Sequence, residues 1–138
     1  MPTLKLEIVT PEAKVFSQDV EMVFVPGVDG ELGILPMHIP LMTMIKPGEL
    51  RVSNKGQDTY MAVGEGFVEV TAETVTVLTD MAVEEHAIDE SAAEAAVKRA
   101  QEALRHGENI GDEEVASVEA SLQKSLAQLH VKRRKHHG

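Results

Sequence analysis

The sequence predicts a two-part fold, an N-terminal antiparallel β-sandwich of about ten short strands followed by a C-terminal antiparallel two-helix hairpin. Three observations predict it. Apolar residues recur with a period of two over the first 84 residues, turn signals interrupt them at short intervals, and beyond that point the period becomes helical. Composition changes at the same place: all 6 Pro, all 7 Met, the 3 Phe and the single Tyr lie before it, and Ala dominates after it. The expected domains are therefore 1–84 and 88–138.

The elements follow in chain order. Leu4, Leu6 and Ile8 alternate with Lys5 and Glu7, as a strand with one buried face requires. Val20, Met22 and Phe24 read as a second apolar phase, set against Glu21, Val23 and Val25, and Val75, Val77 and Thr79 as a third. Pro26-Gly27, Asp29-Gly30, Pro47-Gly48, Asn54-Lys55-Gly56 and Gly64-Glu65-Gly66 separate the runs as turns. From Ile88 the spacing of Ala93, Ala96, Val97, Ala100, Ala103 and Leu104 marks one face of a helix, with Asp89 as N-cap and Gly107 as its end. A second helix starts at Asp112, with Glu113 and Glu114 in the first turn, where the helix dipole favours negative charge. Its stripe is Val115, Val118, Leu122, Leu126 and Leu129. The short link between the helices makes them antiparallel. The pair has few large apolar residues, so it needs the sandwich or another protein to hold it. It reads as a detachable element, with a fixed helical cap as the alternative.

Composition excludes several functions. The 138 residues carry a net charge of −10 and contain no Cys, which leaves no disulfide framework and no thiolate metal site. Overall acidity opposes nucleic-acid binding, which needs clustered positive surface. The start of the chain does not read as a secretory signal, and the most apolar stretch, Ile34 to Ile45, is broken by Pro36, His38 and Pro40. It falls short of the roughly 20 residues that span a bilayer, so no direct membrane insertion is expected. Phosphate-loop, nucleophile-elbow and zinc-protease motifs are absent. The six His have no metal-ligand spacing and no carboxylates converge; no catalytic residue, metal or cofactor is assigned. Charge is uneven: residues 1–84 have 5 basic against 13 acidic residues, 85–131 have 4 against 10, and Lys132-Arg133-Arg134-Lys135 forms a basic block just before His136-His137-Gly138. Such a block is ordinarily a solvated end; on a detachable helix it can also dock on an acidic surface.

The segment PGVDGELGILPMHIPLMTMIKPGELRV, from Pro26 to Val52, followed by VGEGFVEV and VTVLTDMA, resembles the epsilon subunit of bacterial F-type ATP synthases, and the resemblance extends over essentially the whole chain. Met37 departs from the glycine that many relatives have after the proline, and Glu65 stands within a glycine cluster. The resemblance implies a non-catalytic rotor subunit that couples c-ring rotation, driven by protons or sodium ions, to the catalytic head. Its place would be peripheral, on the cytoplasmic face of the bacterial inner membrane. It implies contact with the polar loops of the c-ring at a turn formed by Glu31, Leu32 and Gly33, and with the gamma subunit at Met37, His38 and Met42. Met44 belongs to the same methionine-rich run, of which at least one residue is expected to fill the core.

The resemblance also implies that the helices extend toward the alpha and beta subunits and inhibit ATP hydrolysis, with Lys124, Lys132, Arg133, Arg134 and Lys135 near acidic segments. Some relatives bind ATP through Ile/Leu-Asp-x-x-Arg-Ala; here Ile88, Asp89, Ala92 and Ala93 form a degenerate version without the arginine fork that suits phosphate. Weak or absent ATP binding is expected. A free-standing ATP-sensing module is the alternative reading.

Overall fold

The computed structural model describes residues 2–106 and 110–134. Ten strands come first: β1 (Leu4–Val9), β2 (Lys14–Val20), β3 (Met22–Gly27), β4 (Gly30–Ile34), β5 (Leu41–Ile45), β6 (Gly48–Asn54), β7 (Gln57–Val63), β8 (Gly66–Val70), β9 (Thr74–Thr79) and β10 (Ala82–Glu84). A 3-10 turn (Glu85–Ala87) leads into α1 (Glu90–Arg105) and α2 (Asp112–Arg133).

The strands form one hydrogen-bonded path, β10-β7-β6-β3-β5-β8-β9-β1-β2, with β4 on the other edge of β3. The path is narrow at one point, where β3 and β5 share only the pair Gly27–Ile45. It folds there, so that β4-β3-β6-β7-β10 faces β5-β8-β9-β1-β2. Across the opposite side, Glu21 N donates to Ser53 O at 3.1 Å and Asn54 Nδ2 to Asp19 O at 3.3 Å. Pairing is antiparallel except between β1 and β9, which run parallel. Side chains from both halves make one core, including Val23, Val25, Ile34, Leu50 and Met61 from one and Leu6, Ile8, Ile45, Val68 and Val77 from the other.

The alternation predicted for β1 and β9 is present: Leu4, Leu6 and Ile8 are buried, as are Val75, Val77 and Thr79. The phase predicted across Val20 to Phe24 is not. Val20 is buried, but the chain bends at Glu21 from one half to the other, and Val23 and Val25 then face the core while Phe24 faces out. One residue placed between two strands reverses the sense of a period-two pattern.

Asp89 caps α1, its Oδ1 accepting from Ala92 N at 3.0 Å. Gly107, predicted to end the helix, lies outside the described residues; the α-helix closes at Arg105. α1 packs on α2 in antiparallel fashion through Ala93, Val97 and Leu129, with Leu122 at the margin. α2 lies on the outer face of the first half-sheet, where Ala127 and Val131 meet Ile88 and Ala62, flanked by Tyr60, Met81 and Val83. The predicted α2 stripe is therefore only partly right. Val115, Val118 and Leu122 are half-buried and Leu126 is exposed, whereas Ala127, Leu129 and Val131 are buried. The helix serves two neighbours, so its apolar residues divide between two directions.

Candidate functional site

Two surfaces carry the residues singled out in the sequence. The first is the rim formed by β4, β5 and the segment between them. Glu31, Leu32 and Gly33 do not form a turn; they lie within β4, and the turn is at Val28 and Asp29. Gly27 pairs with Gly30 across it. Along β4 the side chains alternate, so Glu31 is exposed while Leu32 packs against the core. A Cβ on Gly33 would press on Phe24, whose ring covers this glycine and lies 4.1 Å beneath the Arg51 guanidinium. Glu31 is thus the member of the three with a side chain free to meet another molecule, and Gly33 is the member that lets Phe24 lie flat.

Past β4 the chain turns through Pro36 and Met37 and is pinned by Met37 N to Ala72 O at 3.0 Å. Met37 has φ +68°, the left-handed region where glycine is unstrained and other residues cost about 1 kcal/mol. Met37 is 76% exposed, Met42 63% and Met44 56%, so none of the three fills the core, contrary to expectation; Met61 does. The reason is register. In β5 the inward position is Ile45, so Met42 and Met44 fall on outward and rim-facing positions. Leu35 and Ile39 are also exposed, which extends the apolar surface beyond the residues predicted. The signal was present, since this is the most apolar stretch of the chain. His38 is half-buried, its Nδ1–H donating to Ile39 O at 2.7 Å.

The second surface is the seam that holds the helices. Lys124 Nζ lies 3.6 Å from Asp80 Oδ2, and Lys132 Nζ donates to Glu85 O at 3.4 Å. Arg133 forks across α1, with Nε to Glu90 Oε2 and Nη2 to Glu94 Oε2, both at 2.7 Å. The hydrogen bond to Glu90, then the charges of both carboxylates, raise Arg133 above the ordinary arginine value. Arg134 pairs with Glu49 and stands 5.4 Å from the Tyr60 ring centroid. Glu49 is the more enclosed partner, its side chain 11% exposed against 40% for Arg134. Lys135 lies outside the described residues. Sequence reasoning found the cations but not their partners, because Arg134 and Glu49 are 85 residues apart.

The degenerate nucleotide motif has structural work. Ile88 is buried against α2, Asp89 caps α1, Ala93 packs on Leu129, and Ala92 is exposed. Where a phosphate would require positive charge, the first turns of α1 carry Glu90 and Glu94. A cleft of about 540 Å³ between the helices and the β9–β10 corner is lined by Arg99, Ser121, Lys124 and Gln128, with Lys124 already facing Asp80. No group of His, Asp or Glu among the described residues is placed to hold a metal ion, and no described helix is long and apolar enough to cross a membrane.

The folded sheet and the helical segment each match a domain of the ATP synthase delta/epsilon chains. Their beta-sandwich domain profile matches residues 3–85 and their long alpha-helix domain profile residues 86–133. The chain belongs to the ATP synthase epsilon chain family. It is 41% identical to the ATP synthase epsilon chain of Laribacter hongkongensis, covering 99% of this chain and 100% of that one. With the epsilon chain of Nitrosococcus oceani it shares 44% identity, over 92% of this chain and 90% of that one. The fold also matches a chain in the cryo-EM structure of the Euglena gracilis mitochondrial ATP synthase (OSCP/F1/c-ring), with a TM-score of 0.76 and 19% identity, covering 92% of this chain and 79% of that one.

Proposed function

We propose that this chain is a non-catalytic rotor subunit, in which the sandwich couples the c-ring to the catalytic head through gamma and the helices restrain ATP hydrolysis. The observation that carries this reading is the exposed apolar rim. Leu35, Met37, Ile39, Met42 and Met44 stand in solvent within one segment, an arrangement that suits burial against another protein. Flexible methionines adapt to a partner's contour. Met37, His38 and Met42 face gamma in this reading, and Glu31, with the backbone of Leu32 and Gly33, faces the polar loops of the c-ring. The alpha and beta subunits are met only when the helices leave the sandwich. The location is peripheral, on the cytoplasmic face of the bacterial inner membrane. Family membership and the placement of Met42 and Met44 support the reading together.

Co-purification with tagged gamma tests it. The wild-type chain is retained, and the variant with Met42→Glu and Met44→Glu is lost while its circular dichroism and thermal midpoint stay unchanged. Retention of the double variant refutes the rim as the gamma surface. Deletion of residues 88–138 relieves inhibition of ATP hydrolysis in the assembled complex; undiminished inhibition refutes the role of the helices.

A further inference from the structure

Met81 stands at the corner between β9 and β10, where the sandwich receives α2. Both of its backbone groups are tied: Gly64 N donates to the Met81 carbonyl at 2.9 Å, and Met81 N donates to the hydroxyl of buried Thr79 at 3.4 Å. The side chain is therefore presented from a fixed corner. It packs on the seam cluster of Ala62, Ile88, Ala127 and Val131, and its Sδ accepts a hydrogen bond from Gln128 Nε2 of α2 at 3.1 Å. Met81 also lines the cleft of about 540 Å³ between the helices and the sandwich. It is half-buried, so the thioether belongs to the seam and is within reach of a small solute in the cleft. The other described methionines are placed differently: Met37, Met42 and Met44 are exposed on the rim, Met61 is fully buried in the sandwich core, and Met22 lies on β3.

We propose that Met81 is an oxidation site whose state sets how firmly α2 is held on the sandwich. The reactant is a peroxide. A sulfur lone pair attacks one peroxide oxygen, the S–O bond forms as the O–O bond breaks, and the second oxygen leaves as water; the thioether is oxidised by two electrons and the peroxide reduced by two. The product is a polar sulfoxide in place of a flexible apolar group. An oxygen added toward Gln128 displaces that amide from its 3.1 Å contact, and one added toward the seam lies unpaired among Ala62, Ala127 and Val131, where an unbonded polar group is costly. The side chain escapes both costs by turning its sulfur into the cleft, which withdraws its methyl group from the seam. Each outcome weakens the docking of α2. Because α2 brings only Ala127 and Val131 to this cluster, the loss of one further apolar neighbour is felt. Sulfoxide reductases return the thioether, so the change is reversible. The inference concerns the seam alone and does not depend on what the helices do in a larger assembly.

Isotope-edited NMR of the methionine methyl groups, during titration of the full chain with hydrogen peroxide, follows each sulfur separately. The rim methionines convert first, Met81 next and Met61 last. Native-state hydrogen exchange then reads the seam, since every opening that separates α2 from the sandwich breaks the Met81 contact. With about half of a methionine's burial at stake, conversion of Met81 raises the opening constant of α2 about four- to twelvefold, and amides in β1 are unchanged. Met81→Leu keeps the volume and apolar character of the site; its α2 protection is near that of the wild type before treatment and does not respond to peroxide, although the rim methionines are oxidised as before. Treating the oxidised wild type with sulfoxide reductases for both epimers restores its protection. Three results overturn the proposal: Met81 converting no sooner than Met61, α2 protection that stays the same or rises once Met81 is converted, or a peroxide response in Met81→Leu equal to that of the wild type.

Discussion

Val131 is the best place to ask how tightly the helices are held. It is fully buried where α2 meets the sandwich, against Ile88, Ala62 and Ala127. Val131→Ala removes two carbons from this contact, and at ~0.8 kcal/mol per buried methylene the loss is about 1.6 kcal/mol, before any added cost of a cavity. That difference corresponds to an about 14-fold larger opening constant. Native-state hydrogen exchange measures it directly: amides in α2 lose protection by this factor, and those in β1 and β9 keep theirs. Val77→Ala deletes the same two carbons from the sandwich core and lowers protection in β1 and β9. Two results refute the reasoning. If Val131→Ala lowers α2 and β9 equally, helices and sandwich are one cooperative unit. If it changes neither, the contact around Ala62 is not what holds the arm.

Three further outcomes follow from local geometry. A Cβ at Gly66 would fall inside the van der Waals envelope of the Leu78 carbonyl of the neighbouring strand, which is backbone and cannot swing aside; Gly66→Ala lowers the thermal midpoint by more than 10 °C, given that about 1 kcal/mol shifts a domain of this size by several degrees and overpacking costs about 1–3 kcal/mol even where side chains can yield. Glu7 accepts a 2.7 Å hydrogen bond from Lys14, which holds its carboxyl below the usual carboxylate range. As pH falls the unfolded chain takes up this proton first, so the pair's stabilisation is complete above the unfolded carboxylate's pKa and is lost as pH falls through the native one. Acid unfolding of Glu7→Gln shows a shallower limb across that window, and an NMR titration places the Glu7 midpoint below that of an exposed glutamate. Calorimetry with ATP shows no micromolar binding, because Ala92 supplies no phosphate fork and the Arg133 guanidinium beside it is already engaged by Glu90 and Glu94; heat at micromolar ATP refutes this.

Local periodicity and capping were legible in the sequence because each depends on residues a few positions apart. The alternation of Leu4, Leu6 and Ile8 and the cap at Asp89 are of this kind. The phase across Glu21 was not, since nothing local says that a strand leaves one half-sheet there and enters the other. Nor was the orientation of Met42 and Met44, which depends on Ile45 taking the inward position beside β8 and β3. Composition alone ranks methionine as a core residue, and only the register shows that these two face away. The candidate surfaces were legible in part for the same reason. Met37, Met42 and the basic tail could be named from one segment each, whereas Glu49, Tyr60, Glu90 and Glu94 enter only once the chain has folded back on itself.

The way α2 divides its apolar residues bears on the proposed second position of the helices. Leu129 faces α1, Ala127 and Val131 face the sandwich, and Leu126, 39% exposed, faces neither. A helix with one strong apolar stripe has one best site, and leaving it exposes the whole stripe to water. Here the contact with the sandwich is narrow, and one of its two buried α2 side chains is an alanine, which contributes little area. Separating α2 from the sandwich therefore exposes little more than Val131, Ile88 and their half-buried neighbours, while the contact between α1 and α2 can stay intact. With so little apolar driving force, the polar links of Lys124 to Asp80, Lys132 to the Glu85 carbonyl and Arg134 to Glu49 are a large share of what holds α2 on the sandwich. In the proposed two-position reading, a weak docking surface makes the equilibrium sensitive to any partner that prefers one position, because a ligand shifts a population only by its difference in affinity for the two states. A stronger apolar stripe at Leu126 and Ala127 would fix the arm and remove that sensitivity.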